Sequence, residues 1–227
     1  MNSRISKALG TNVSIVFGHF IMFSHHIFFS HIAMSETLPL GYSLSVEYQP
    51  YSVNGGTVAE INRSFHENKP QHLKDRGFDG LTNWQYQTSH NSETCELSKL
   101  DVNITYTLPQ IQRSEANRDV VDEFKSYMGK LYRHEEMHCA IAAKLFQQVY
   151  LAFKQGESGD CKHQLTVVDG LYASLQQQSD EFDSYTNHGE TELLASPFGE
   201  EAYYAHCRIT LSNYLTNMKE RVQRKAM

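Results

Sequence analysis

"LYRHEEMHCAIAAKLF", residues 131–146, places three polar side chains inside an otherwise apolar pattern. Val120, Phe124, Met128, Leu131, Glu135, His138, Ala142, Leu145 and Val149 recur at steps of three or four, the period of a helix and not of a strand. The run after Pro109 therefore predicts a helix of about thirty residues. On it His134 and His138 stand one turn apart on one side, a spacing that lets both imidazoles reach a single tetrahedral zinc ion. Glu135 falls within the apolar stripe, where burying a carboxylate is costly unless a cation or a reacting water is beside it. H-E-x-x-H is the pattern in which two histidines bind zinc and the glutamate acts as general base on a water at the metal. The competing reading is a pair of hydrogen-bonded core histidines, with Glu135 paired to Lys130 or Arg133, and 12 histidines in the chain make a chance match easier. The coincidence of motif, helical period and inward phase favours the metal site.

A catalytic zinc needs a third protein ligand and an open position for water. The metzincin extension would put a glycine and a further histidine where the chain has Ile141 and Lys144, so that subclass is excluded. A second helix is expected from about Lys162 to Thr186, with Leu165, Val168, Leu171, Tyr172, Leu175 and Phe182 inward and Gly189 as its C-terminal stop. Its end, "EFDSYTNHGE", offers Glu181, Asp183, His188 and Glu190. A thermolysin-like arrangement would use Glu181, whereas His188 sits at the helix end, where a side chain can turn toward a neighbouring helix. Asp183 suits a supporting hydrogen bond to His134 or His138. Tyr185 could donate to a tetrahedral oxyanion, the alternative being a packed aromatic. His163 and His206 read as ordinary surface or structural histidines.

Before the long helix the period is two. "GYSLSVEYQPYSV" (41–53), "GLTNWQYQTS" (80–89) and "CELSKLDVNITYTLP" (95–109) read as strands of a small antiparallel sheet. Thr57 and Glu60 have capping-box spacing at the start of a short helix that carries Val58, Ile61 and Phe65 on one face. "ASPFGEEAYYAHCRITLSNYLTNMKERV" predicts a C-terminal helix. The fold class is α+β.

Twenty basic against 26 acidic residues, a net charge of -6, leave no basic field for nucleic acid or an anionic membrane surface. Arg4 and Lys7 precede the apolar run "VSIVFGHFIMFSHHIFFSHIAM", and Ala33 and Ser35 are spaced for cleavage before Glu36. Residues 1–35 are expected to be a signal peptide, or an uncleaved membrane anchor because the run is long enough to span. No other stretch could cross a bilayer, and 36–227 reads as a single domain. Four cysteines, Cys95, Cys139, Cys161 and Cys207, fit an exported chain and allow three pairings.

"YSVNGGTVAEI", the strand with Trp84, "CELSKLDVNITYTLP", "HEEMH" and "FDSYTNHG" occur in an order that resembles the predicted secreted zinc-dependent bacterial proteases catalogued as a domain of unknown function. The resemblance covers about residues 42–190 and is most specific in H-E-x-x-H and in D-x-x-T-x-H-G at Asp183, Thr186, His188 and Gly189. It implies His134, His138 and His188 as ligands of one zinc ion per chain, Glu135 as catalytic base and a peptide or protein substrate. It also implies a Cys95–Cys161 disulfide, which leaves Cys139 and Cys207 to pair with each other, the alternative being a free buried Cys139. The expectation is an exported, periplasmic or secreted, metallopeptidase. The alternatives are a non-enzymatic exported protein with a structural metal that a fourth protein ligand closes, and an envelope-anchored interaction module.

Overall fold

The computed structural model describes residues 38–111, 118–155, 161–191, 193 and 196–209. The expected signal peptide or anchor over 1–35 lies outside the described residues, as does the part of the expected C-terminal helix (195–222) beyond residue 209; within the described residues that stretch is helical only over 201–207 and turns extended at Arg208. The elements run β1 (Ser43–Val53), α1 (Val58–Asn68), α2 (Gln71–Arg76), β2 (Leu81–His90), β3 (Leu97–Ile111), α3 (Arg118–Gln155), α4 (Cys161–Thr186), a 3-10 turn (Glu201–Tyr203) and α5 (Tyr204–Cys207). The mixed α+β class is as expected.

β3 is the central strand because it has the cleanest alternation: Leu100, Val102, Ile104, Tyr106 and Leu108 are all buried. β2 pairs with it as an antiparallel hairpin. β1 pairs with its other edge in parallel, from Ser43 opposite Asp101 to Val53 opposite Ile111, so the sheet has the order β1-β3-β2 and is mixed, not wholly antiparallel. Parallel pairing needs a long return connection. α1, α2 and β2 together provide it. The apolar face of the sheet packs on α1 and α3.

α1 opens with the expected capping box. Thr57 Oγ1 accepts from the Glu60 backbone N–H, and Glu60 Oε2 accepts from the Thr57 N–H at 3.1 Å. α2 has no counterpart in the sequence reading; it starts after Pro70 and stops at Gly77, whose φ of 73° closes the helix.

α3 and α4 pack antiparallel. His134 faces Asp183, His138 faces Ser179, and near the other end Gln164 Nε2 donates to the Ala152 and Phe153 carbonyls, satisfying the last turn of α3. Both expected disulfides are present. Cys95–Cys161 ties the turn between β2 and β3 to the start of α4, and Cys139–Cys207 ties α5 to α3. Tyr106 reinforces the second by donating to the Cys207 carbonyl at 2.8 Å. Two disulfides fit an exported protein in an oxidising compartment. Among the described residues no helix is long and apolar enough to cross a membrane.

Candidate metal centre

Four residues of α4, Ser179, Phe182, Asp183 and Thr186, follow one another at steps of three, one and three, which sets them on one face of the helix. That face meets His134 and His138. Phe182 stacks on the His134 ring (4.9 Å between centroids) and meets the His138 ring edge to face (5.0 Å), so both imidazoles are clamped by the same side chain. Their Nε2 atoms lie 3.1 Å apart, and each is 3.0 Å from Asp183 Oδ1.

Ligand distances of about 2.0–2.1 Å place the donor atoms of a tetrahedral zinc about 3.3 Å from one another. The triangle of His134, His138 and Asp183 is close to one face of that tetrahedron. The hydrogen-bond inventory points the same way. Thr186 Oγ1 donates to the Phe182 carbonyl (2.8 Å), so toward His134 Nδ1 it can only accept, at 3.4 Å. His134 then carries its proton on Nδ1 and turns the lone pair of Nε2 toward a carboxylate oxygen. One proton can bridge only one edge of the triangle at a time, whereas one divalent cation satisfies all three corners. On the far side of the second ring, Ser179 Oγ lies 2.8 Å from His138 Nδ1. Such partners fix the orientation of ligand rings.

Burial alone would raise the Asp183 carboxyl, but in the metal-free site, when the His134 and His138 rings are protonated, their hydrogen bonds and charge outweigh it and hold the group well below the usual carboxylate range. Asp183 is thus ready to act as an anionic ligand. Among the described residues these three are the one group of His, Cys, Asp and Glu close enough to hold a metal ion.

The triangle opens on a cleft of about 1420 Å³, bounded by α3, the end of α4, the segment from Arg76 to Gly80 and the first half of β2. Glu135 lines this cleft beside the triangle and is 4% exposed. The Thr82 hydroxyl donates to its Oε2 at 2.7 Å, with the Glu135 carbonyl as a second acceptor at 3.0 Å. A Cβ at Gly80 would lie 2.8 Å from Glu135 Oε1 and 2.8 Å from Leu108 Cδ2, so a side chain there would have to displace the Glu135 carboxylate. Trp84, two residues beyond Thr82, also lines the cleft.

His188 is brought to the same cleft but not into the triangle. Its Nδ1 is 3.7 Å from Asp183 Oδ1, its side chain is 59% exposed, and its ring rests on Phe78 at 5.4 Å. The cause lies in the backbone: after Thr186, Asn187 (φ 48°), His188 (φ 53°) and Gly189 (φ 87°) are all left-handed. This turn passes against His134, whose Cγ would be 3.1 Å from a Cβ on residue 189, and the close approach together with the positive φ favours glycine there. Asp183, expected as a supporting residue, occupies the third corner instead. Of the other acidic candidates, Glu181 accepts from Gln177 and Glu190 from Asn187, both within their own segment. Tyr185 is 57% exposed, rests against Phe198 and is not among the residues of the cleft. His206 donates to or accepts from no site residue here; its Nε2 lies 2.7 Å from the Leu38 carbonyl. Sequence reasoning missed Thr82, Ser179 and the acceptor role of Thr186. For the last two the signal was present as same-face spacing with Asp183.

Residues 48–189 match a family described as a bacterial protein of unknown function, DUF922. No curated protein and no solved structure matches.

Proposed function

We propose, for a chain that belongs to this bacterial family of unknown function, a metal-dependent peptidase in which His134, His138 and Asp183 hold one zinc ion and Glu135 is the general base. The observation that carries the reading is the convergence of two imidazole nitrogens and one carboxylate oxygen at 3.0–3.1 Å in the wall of an open cleft that Glu135 also lines. When bound there, zinc supplies a Lewis acid that polarises a peptide carbonyl and makes water a better nucleophile. Glu135 takes the proton of the attacking water and passes it to the leaving amine. Thr82 steers that carboxylate by donating to its Oε2. Ser179, Phe182 and Thr186 hold the two rings in place. β2 is an edge strand whose first half lines the cleft, so its unpaired backbone groups can receive an extended peptide. The two disulfides support export, with residues 1–35 as the signal, to the periplasm or the medium. A peptide or protein substrate fits a chain whose net charge of -6 gives nucleic acid no basic surface.

A closed structural site is the second reading, and His188 favours it, since its Nδ1 is 3.7 Å from Asp183 Oδ1 and could supply a fourth ligand. One experiment separates the two. Purified protein and the Asp183→Ala, His188→Ala and Glu135→Gln variants are assayed for zinc content and for cleavage of an unfolded protein. The peptidase reading expects about one zinc per parent chain, zinc lost in Asp183→Ala, and cleavage lost in Glu135→Gln with zinc kept. A parent that binds zinc but cuts nothing, with zinc lost in His188→Ala, would favour the structural site. No zinc under metal-replete conditions would refute both.

A further inference from the structure

Beyond Asp79 and Tyr127, which line the cleft, a second cavity of about 510 Å³ continues into the angle between α1 and α3. Ile61 (3% exposed) and Phe124 (9%) are part of its buried wall, while Val58 (42%) and Tyr127 (41%) are exposed. The Phe65 ring stands edge-on to those of Phe124 (6.4 Å) and Tyr127 (6.1 Å), giving the wall a rigid aromatic surface. The size falls in the range of about 300–1,000 Å³ usual for ligand pockets.

The acid at the junction is spent. Asp79 receives the Lys69 ammonium on Oδ1 and the Tyr127 hydroxyl on Oδ2, and its carbonyl accepts from Tyr51 at 2.7 Å. A cationic side chain would find the acid's charge already matched, and a carboxylate would find the Lys69 ammonium already taken. The other ionisable group of the wall, His66, stands edge-on to Phe65. Along α3, Tyr127 and Phe124 precede His134 by seven and ten residues. At about 1.5 Å per helical residue this is about 10–15 Å, which an extended peptide at about 3.3 Å per residue covers in about three to five residues.

We propose that this cavity is a specificity subsite that takes a large apolar side chain of the substrate about three to five residues from the bond that is cut. The proposal rests on the peptidase reading, and its test has one arm that does not. In that arm N-acetyl-phenylalaninamide and N-acetyl-lysinamide are titrated into the purified protein and into Val58→Trp and Val58→Asp, with binding followed by NMR of the probes. Val58 is an exposed first-turn position of α1, where an acid suits the helix dipole and the fold should persist. The phenylalanine probe should bind at least about fivefold more tightly than the lysine probe, and Val58→Trp should abolish the difference. In the second arm the cleavage sites in a mixture of unfolded proteins are mapped by mass spectrometry. Large apolar residues should be enriched at one position in the expected window, and Val58→Asp should shift that enrichment toward Lys and Arg. Equal binding of the two probes, or a flat profile over that window with cleavage intact, overturns the subsite. An intact probe preference with no cleavage by the parent chain overturns the peptidase reading and leaves the apolar preference of the cavity standing.

Discussion

Glu135 and Glu136 are neighbours on α3, 4% and 7% exposed, and they face two different worlds. Both oxygens of Glu136 are committed to the C-terminal segment: Oε2 accepts from the Tyr204 hydroxyl and Oε1 from the Ile209 backbone N–H. Glu135 instead takes the Thr82 hydroxyl on Oε2 and stands in the wall of the cleft. Burial of a carboxylate is therefore no mark of function by itself. What separates the anchor from the candidate base is whether the partners saturate it and whether solvent-sized space adjoins it.

Neutralising each carboxylate should split activity from stability. Glu135→Gln should lower kcat/KM by about 10²–10⁴-fold, with zinc content and melting temperature near those of the parent. Peptide cleavage and metal analysis on one preparation check this. Opening the Cys139–Cys207 bridge with a double alanine variant attacks the anchored side, and should cost about 2–4 kcal/mol of stability for a separation of 68 residues, read from denaturant unfolding. Glu136→Gln strikes the same side more gently. Replacing a carboxylate that accepts two hydrogen bonds should cost about 1.5–3 kcal/mol, and activity per folded molecule should be kept. The smallest effect sharpens the boundary between the two sides: Thr82→Val leaves Glu135 in place without its donor, and should cost about 1 kcal/mol in transition-state stabilisation, near fivefold in kcat/KM, with little change in melting. An equal loss of stability in Glu135→Gln and Glu136→Gln, with activity following stability in both, would erase the distinction.

Much of this was legible because it is local. His134, Glu135 and His138 are set by steps of one and four on a helix whose period spans many turns, and Thr57 with Glu60 is a three-residue device. The parallel pairing of β1 was not legible, because it depends on which strand lies in the middle, and every strand had an apolar face to offer. α2, with Leu73 as its one buried residue, is too short to display a period. The third corner was half legible. The spacing of Ser179, Asp183 and Thr186 was there to be read, but it acquires meaning only opposite the rings on α3. His188 was singled out by its place at the helix end and by the family resemblance, and the three left-handed residues after Thr186 set its Nδ1 beside the triangle, 3.7 Å from Asp183 Oδ1.

Trp84 has a consequence for the bench. It is the chain's sole tryptophan, and it stands in the wall of the cleft on the strand that carries Thr82. Intrinsic emission excited at the red edge of protein absorbance therefore originates from this one place. Its intensity and wavelength form an unlabelled optical gauge of what enters the cleft, readable in a stopped-flow instrument on the native sequence.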